Sequence, residues 1–201
     1  MDRLKQQLAF ILEVDKLKTI FRQSLITDTT RFENDAEHSW HLALMAFLLA
    51  EYTEEKVNLL KVMKMVLMHD IVEIDAGDTY CYDEQAKLDK REREEKCATR
   101  IFSMLPDEQA AEMFALWEEF ELMETPEARY AAALDRLQPV LLNYTAQGLS
   151  WKNHGISVEQ VIERNQRIQG SSEKLWSYVK ELLDDAVAKG YLKRETKIQK
   201  N

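Results

Sequence analysis

Apolar residues recur at helical spacing along most of the chain. Leu4, Leu8, Ile11, Leu12 and Phe21 open a stripe that predicts a helix over about residues 3–22, and Ser24 to Arg31 reads as a loop. Asn34 with Glu37 three places on has the form of a capping box, so a helix is expected from there to about Glu51. Thr53 is the expected cap of a helix reaching about Ile74, where Ala76-Gly77-Asp78 breaks the pattern. Tyr80 to Asp83 reads as a connector, with Asp83 the expected start of a charged helix ending near Leu105. Pro106 resets the chain for a helix to about Met123, and Thr125-Pro126 is a strong start signal for the next. That helix carries Asp135 and Pro139, and Pro139 predicts a kink just after the aspartate. Ser157 with Gln160 opens a further helix, and Ser171-Ser172 a last one to Gly190. The expectation is all-α: seven or eight helices in a single-domain bundle, with the nine-residue apolar run Leu42 to Ala50 in a helix buried on most sides.

Composition narrows this picture. Of 201 residues only five are Gly and three Pro, too few for the turns of an all-β fold, and no glycine-rich phosphate loop can be written. The net charge of −9 and a charge run, Lys87 to Lys96, that mixes both signs argue against a nucleic-acid partner. The longest apolar run is nine residues, against the roughly 20 of a membrane helix. Two cysteines without a CxxC pattern suit a reducing compartment, and the first residues hold no signal-like apolar core. A soluble, cytoplasmic protein is expected.

The chemistry concentrates near the four histidines. Glu73 stands at i+4 from His69 and i+3 from Asp70, so imidazole and carboxylates share a helix face at the end of the apolar stretch Leu59 to Met68. Two readings fit that pair: a capped helix terminus with a surface aspartate, or a metal site, since ions beside an apolar stripe are costly unless paired or metal-bound. His38 and His41, at i+3, share a face of the preceding helix, and a histidine satisfied by a neighbouring partner is the preferred reading of His41. Small and apolar neighbours make Asp135 a buried acid, with Arg136 beside it open to reading as a surface charge.

Together, His38, His69-Asp70 and Asp135 resemble the spaced H…HD…D pattern of HD-domain metal hydrolases. Flanking words narrow the resemblance: Leu17-Lys18 with Arg22, Arg31 with Glu33-Asn34, Ala36-Glu37-His38-Ser39, His69-Asp70-Ile71-Val72-Glu73, Gly77-Asp78 and Leu134-Asp135-Arg136-Leu137. Over roughly residues 4–145 the chain is similar to bacterial 5′-deoxynucleotidases of the HD superfamily and their uncharacterised relatives. The resemblance implies one divalent metal ion (Mn, Co, Mg, Fe, Ni or Zn) held by His38, His69, Asp70 and Asp135, a set whose borderline chemistry agrees. It implies hydrolysis of (deoxy)nucleoside 5′-monophosphates to nucleoside and phosphate by water activated at the metal. Glu73 and Asp78 become the catalytic residues, while Arg22, Arg31, Asp78 and Thr79 become substrate contacts, with Arg22 orienting the phosphate. The chain departs from the deoxynucleotidases at Gln23, where tryptophan is frequent, and over Thr79-Tyr80-Cys81-Tyr82-Asp83.

The expected organisation is one HD phosphohydrolase domain over 1–194, with its metal-binding core at about 17–145, C-terminal helices at 157–190 and a frayed tail at 195–201. A homodimer is expected from the family, although core packing is the preferred use of Trp151, Trp176 and Tyr178. Glu-x-x-His pairs of di-iron bundles and the H-E-x-x-H of zincins are absent. Two alternatives to the monophosphatase remain: an HD hydrolase of a nucleoside triphosphate or phosphodiester, and a non-catalytic metal-binding helical interaction module.

Overall fold

The structure, a computed structural model, describes residues 2–83, 85 and 88–195. It is helical, as expected, with one two-stranded hairpin that the hydropathy pattern does not announce. Helix α1 (Arg3–Val14) gives way to a 3-10 turn (Asp15–Thr19) and then to strand β1 (Phe21–Leu25), rather than continuing to residue 22. Strand β2 (Phe32–Asn34) pairs antiparallel with β1, Phe21 opposite Asn34 and Leu25 opposite Phe32, so the expected loop at 24–31 includes the tip of a hairpin. The stripe of α1 is also turned differently. Leu4, Leu8, Ile11 and Leu12 are each at least half exposed, and Phe10 and Val14 pack on the core instead.

Asn34 caps α2 (Asp35–Leu48) in a full capping box: its side chain accepts from Glu37 N at 2.9 Å, and Glu37 Oε2 accepts from Asn34 N at 3.2 Å. Within the apolar run, Leu42, Met45 and Ala46 are buried but Phe47 and Leu48 face outward. Thr53 starts no helix, because its Oγ1 donates to Ala50 O and closes the preceding 3-10 turn. Asn58 caps α3 (Leu59–Met68) instead, accepting from Lys61 N at 3.3 Å. The predicted run to Ile74 is broken in two: a 3-10 turn (His69–Val72) leads into the single-turn α4 (Glu73–Ala76), and Gly77 ends it at φ +75°.

Helix α5 (Lys90–Phe102) begins after the predicted start at Asp83; residues 84, 86 and 87 lie outside the described residues. Then follow α6 (Asp107–Leu122), α7 (Pro126–Thr145), α8 (Leu149–Asn153), α9 (Val158–Asn165) and α10 (Glu173–Ala188). The expected caps at Thr125, Ser157 with Gln160, and Ser172 are all formed. Residues 196–201, most of the expected frayed tail, lie outside the described residues.

Helix α7 runs through the centre against α2, α3, α6, α9 and α10. Ala131, Ala132 and Ala133 let its neighbours approach closely, and Tyr130 is buried with its hydroxyl donating to Ala46 O at 2.9 Å. The chain continues through Pro139 as one helical element. Trp151 and Trp176 are core residues, whereas Tyr178 is about half exposed.

Candidate metal centre

Three segments bring the predicted residues together. The capping box fixes the start of α2, so His38 enters the core on its first turn. The 3-10 turn after α3 presents His69 and Asp70, and α7 brings Asp135 from the opposite side. His38, His69 and Asp135 each offer one ligand atom, and these atoms lie within 4.8 Å of one another. A second group with the same closeness is Asp35, Asp70 and Glu73, all buried.

The ring nitrogens decide what the histidines offer. His38 Nδ1 is 3.1 Å from Gln138 Oε1, and His69 Nδ1 is 3.1 Å from the Val66 carbonyl. Both partners are oxygens that only accept, so each Nδ1 carries a hydrogen and each Nε2 is left as the atom that can turn to a cation. Those Nε2 atoms face carboxylates: His38 is 3.2 Å from Asp135 Oδ1, and His69 is 3.1 Å from Asp70 Oδ1 and 3.8 Å from Asp135 Oδ1. His69 Nε2 is buried without a hydrogen-bond partner. Gln138 in turn donates to Glu33 Oε1 at 2.5 Å, so an amide and an acid hold His38 from behind. Two imidazole nitrogens beside carboxylate oxygens form a donor set that fits a borderline divalent cation, which would displace the His38 proton.

The electrostatics are those of a crowded acid site. Burial, reinforced by the charge of Asp70, pushes Asp35 up to about 7 although Arg22 opposes the shift. Burial and the neighbouring Asp70, Asp35 and Asp78 hold Glu73 well above the usual carboxylate range, and its Oε2 has no partner. Asp78 is raised chiefly by burial. Asp135 goes the other way, because its hydrogen bond to His38 and the nearby His69 ring outweigh its burial. Burial and Arg22 push His38 down, but Asp135, Glu33 and Asp70 push further up, to about 9. Arg22 comes from β1 with its Nη1 2.9 Å from Asp70 Oδ2 and 3.6 Å from Asp35 Oδ1.

Arg22, His69, Asp70, Glu73, Asp78, Thr79 and Asp135 line one cleft of about 200 Å³. Arg31 is not among them: it is exposed on the hairpin and forms a bidentate pair with Glu37 at 2.8 and 2.6 Å. The reading of Arg31 as a substrate contact therefore has no support in its position. Arg136 is buried at 8% exposure, so it is no surface charge. Sequence reasoning missed Asp35, which is fully buried in the acid cluster, and Gln138, which stands three residues after Asp135 on the same helix face.

The profile of the HD domain family matches residues 14–176. The chain belongs to that family. Among solved structures, this HD-domain protein is similar to a predicted metal-dependent phosphohydrolase from Magnetospirillum magnetotacticum MS-1. The TM-score is 0.91 at 55% identity, covering 95% of this chain and 96% of that one. It is 29% identical over 135 residues to the human 5′-deoxynucleotidase HDDC2, a stretch that covers 67% of this chain and 65% of the human protein. The same protein of Danio rerio is 28% identical over 150 residues, 74% of each chain. The chain thus spans slightly under two thirds of the human relative. Membership implies a divalent metal ion, and the donor set above fits one. Among the described residues no helix is long and apolar enough to cross a membrane.

Proposed function

We propose that this HD-domain protein is a metal-dependent 5′-nucleotidase that hydrolyses (deoxy)nucleoside 5′-monophosphates. The observation that carries the reading is the placing of ligand atoms of His38, His69 and Asp135 within 4.8 Å of one another, at a cleft whose wall holds His69, Asp135 and Glu73 with its unpartnered Oε2. His38, His69, Asp70 and Asp135 would hold the ion. A divalent ion there supplies Lewis acidity, making water a nucleophile at neutral pH and offsetting phosphoryl charge. Glu73, buried and with a free Oε2, takes or returns the proton of the attacking water. Arg22 sets a guanidinium fork beside the phosphoryl group while its Asp70 contact fixes that carboxylate. Asp78 and Thr79 flank the same cleft and receive the sugar, with Thr79 Oγ1 held by Arg93 Nη2 at 3.3 Å.

A purely structural metal site has no use for a buried unpaired glutamate, which favours catalysis over a helical interaction module. The relatives named for 5′-deoxynucleotidase activity support monophosphates over triphosphates or diesters. Cytoplasmic residence is supported by two free cysteines, and a homodimer by Trp40, Phe47 and Leu48 exposed on one side of α2. The test is to strip the protein with chelator, restore Mn²⁺, Co²⁺, Mg²⁺ or Zn²⁺ singly, and follow phosphate release from paired deoxy- and ribonucleoside 5′-monophosphates. Metal-dependent release supports the reading; bound metal without release from either series overturns it.

A further inference from the structure

The cleft extends past the metal centre to a wall that the proposed chemistry does not use. Four of its cations divide into two kinds. Arg22 is ion-paired with Asp70 at 2.9 Å, and Lys90 with Glu94 at 3.2 Å. Arg136 and Arg164 have no carboxylate within 4.0 Å among the described residues. Arg136 is 8% exposed; its Nη1 donates to Ala132 O at 2.9 Å, its Nη2 lies 3.6 Å from Met123 Sδ, and its Nε is buried with no partner. Burial first, then the charge of Arg164, pulls Arg136 down to about 10, so the two guanidiniums feel each other. Arg164 shares this wall with the Cys81 thiol, whose titration burial pushes up, so Cys81 is no counterion.

Two guanidiniums in one cleft wall, neither in a direct ion pair among the described residues and with Asp135 and Glu121 offsetting Arg136 only from a distance, are costly, and the missing partner is an anion. A neutral base edge accepts hydrogen bonds but compensates neither charge. A phosphate does both, with oxygens enough for two forks. We infer that Arg136 and Arg164 form a second anion subsite, which takes a further phosphate of the nucleotide in addition to the one placed at the metal centre. This rests on the nucleotidase reading for the first phosphate alone. The second phosphate has two possible sources, the sugar 3′-oxygen or a 5′-diphosphate chain.

The test uses calorimetry on Mn²⁺-loaded protein carrying Glu73→Gln, to suppress turnover, with 2′-deoxyadenosine 5′-monophosphate, 3′,5′-bisphosphate and 5′-diphosphate as ligands. One of the two-phosphate ligands is expected to bind about tenfold tighter than the monophosphate, the effect of one charge-assisted contact. Which one does so assigns the source. Adding Arg164→Gln, at a partly buried position on α9 outside the hydrophobic core, is expected to bring the ratio to about one, and Arg136→Gln should do the same if it folds. Equal affinities, no measurable binding of any ligand, or a preference that survives Arg164→Gln overturns the subsite. Phosphate release by the unmodified metal-loaded enzyme is measured separately, so loss of the nucleotidase reading with the preference intact is a distinct result.

Discussion

Arg22 Nη1 lies 2.9 Å from Asp70 Oδ2, while the other oxygen of Asp70 faces His69 Nε2 at 3.1 Å. One carboxylate therefore has a structural side and a ligand side, and the arginine fixes which is which. Arg22 also approaches Asp35, Asp135 and Glu33 within 4 Å, so it is the main positive charge at the acid cluster.

Removing that charge leaves buried acids unpaired. Arg22→Ala is expected to destabilise the metal-free protein by about 3 kcal/mol, the cost of breaking a buried ion pair from one side. The loss should be smaller with Mn²⁺ bound, since the ion then neutralises Asp70 and Asp135. Thermal unfolding of wild type and variant with and without metal checks this; an equal loss in both states would show that Arg22 serves packing alone.

Gln138 holds the His38 ring in the tautomer that a cation needs, through Nδ1 at 3.1 Å, and passes the contact on to Glu33. Gln138→Ala should weaken metal binding by about 10–100-fold, as losses behind a metal-ligating histidine do. Competition against a chelator of known affinity reads this directly. Unchanged affinity would mean that the His38 tautomer is set elsewhere.

Arg31 gives the opposite expectation. Its guanidinium is committed to Glu37 at the surface, away from the cleft. Arg31→Ala should change kcat/KM by less than about twofold and leave stability nearly unchanged, as for exposed pairs. A large rise in KM would return Arg31 to the substrate.

The pH dependence of the metal-free protein follows from His38 and Asp35. His38 rises from 6.5 to about 9 in the fold, so its contribution is whole below 6.5 and is lost as pH climbs through 9. Asp35 rises from 3.8 to about 7, which favours its neutral form in the fold and removes stability as pH climbs through 7. Both signs agree, so the stripped protein should weaken from about pH 4 to 9. A bound cation displaces the His38 proton and welcomes the charged acids, so the Tm gap between loaded and stripped protein should widen over that range. Scanning fluorimetry across it decides; a flat gap would contradict the assigned charges.

Much of this site is legible in the sequence, and the gaps have physical causes. His38, His69, Asp70 and Asp135 stand out because HD and the flanking words are local, and Asn34 with Glu37 signals the helix that delivers His38. Asp35 is hidden because an acid in a first helical turn is ordinary on a surface; only tertiary packing reveals that it is fully buried beside Glu73. The hairpin is missed because Phe21 continues the spacing of the α1 stripe, although the pairing of Phe21 with Asn34 is a long-range contact. The stripe itself misleads, since Leu4, Leu8, Ile11 and Leu12 keep helical spacing while Phe10 and Val14 make the core contacts.

Glu73 carries the sharpest test of catalysis against structure. Burial and three acidic neighbours hold it well above the usual carboxylate range, yet its Oε2 is unpaired and it lines the cleft, one turn beyond His69 and Asp70. A glutamate kept there for packing could be replaced by glutamine at little cost, because the amide matches the neutral acid in shape and hydrogen-bonding capacity. A glutamate that moves a proton could not, because the amide neither accepts nor returns one. Glu73→Gln should therefore leave folding and metal affinity near wild type while lowering kcat by about 10²–10⁴, the range that general acid–base groups contribute, with KM little changed. Steady-state kinetics beside a metal titration separate the two roles. An unaltered kcat would assign proton transfer to another acid of the cluster, with Asp78 the next to substitute.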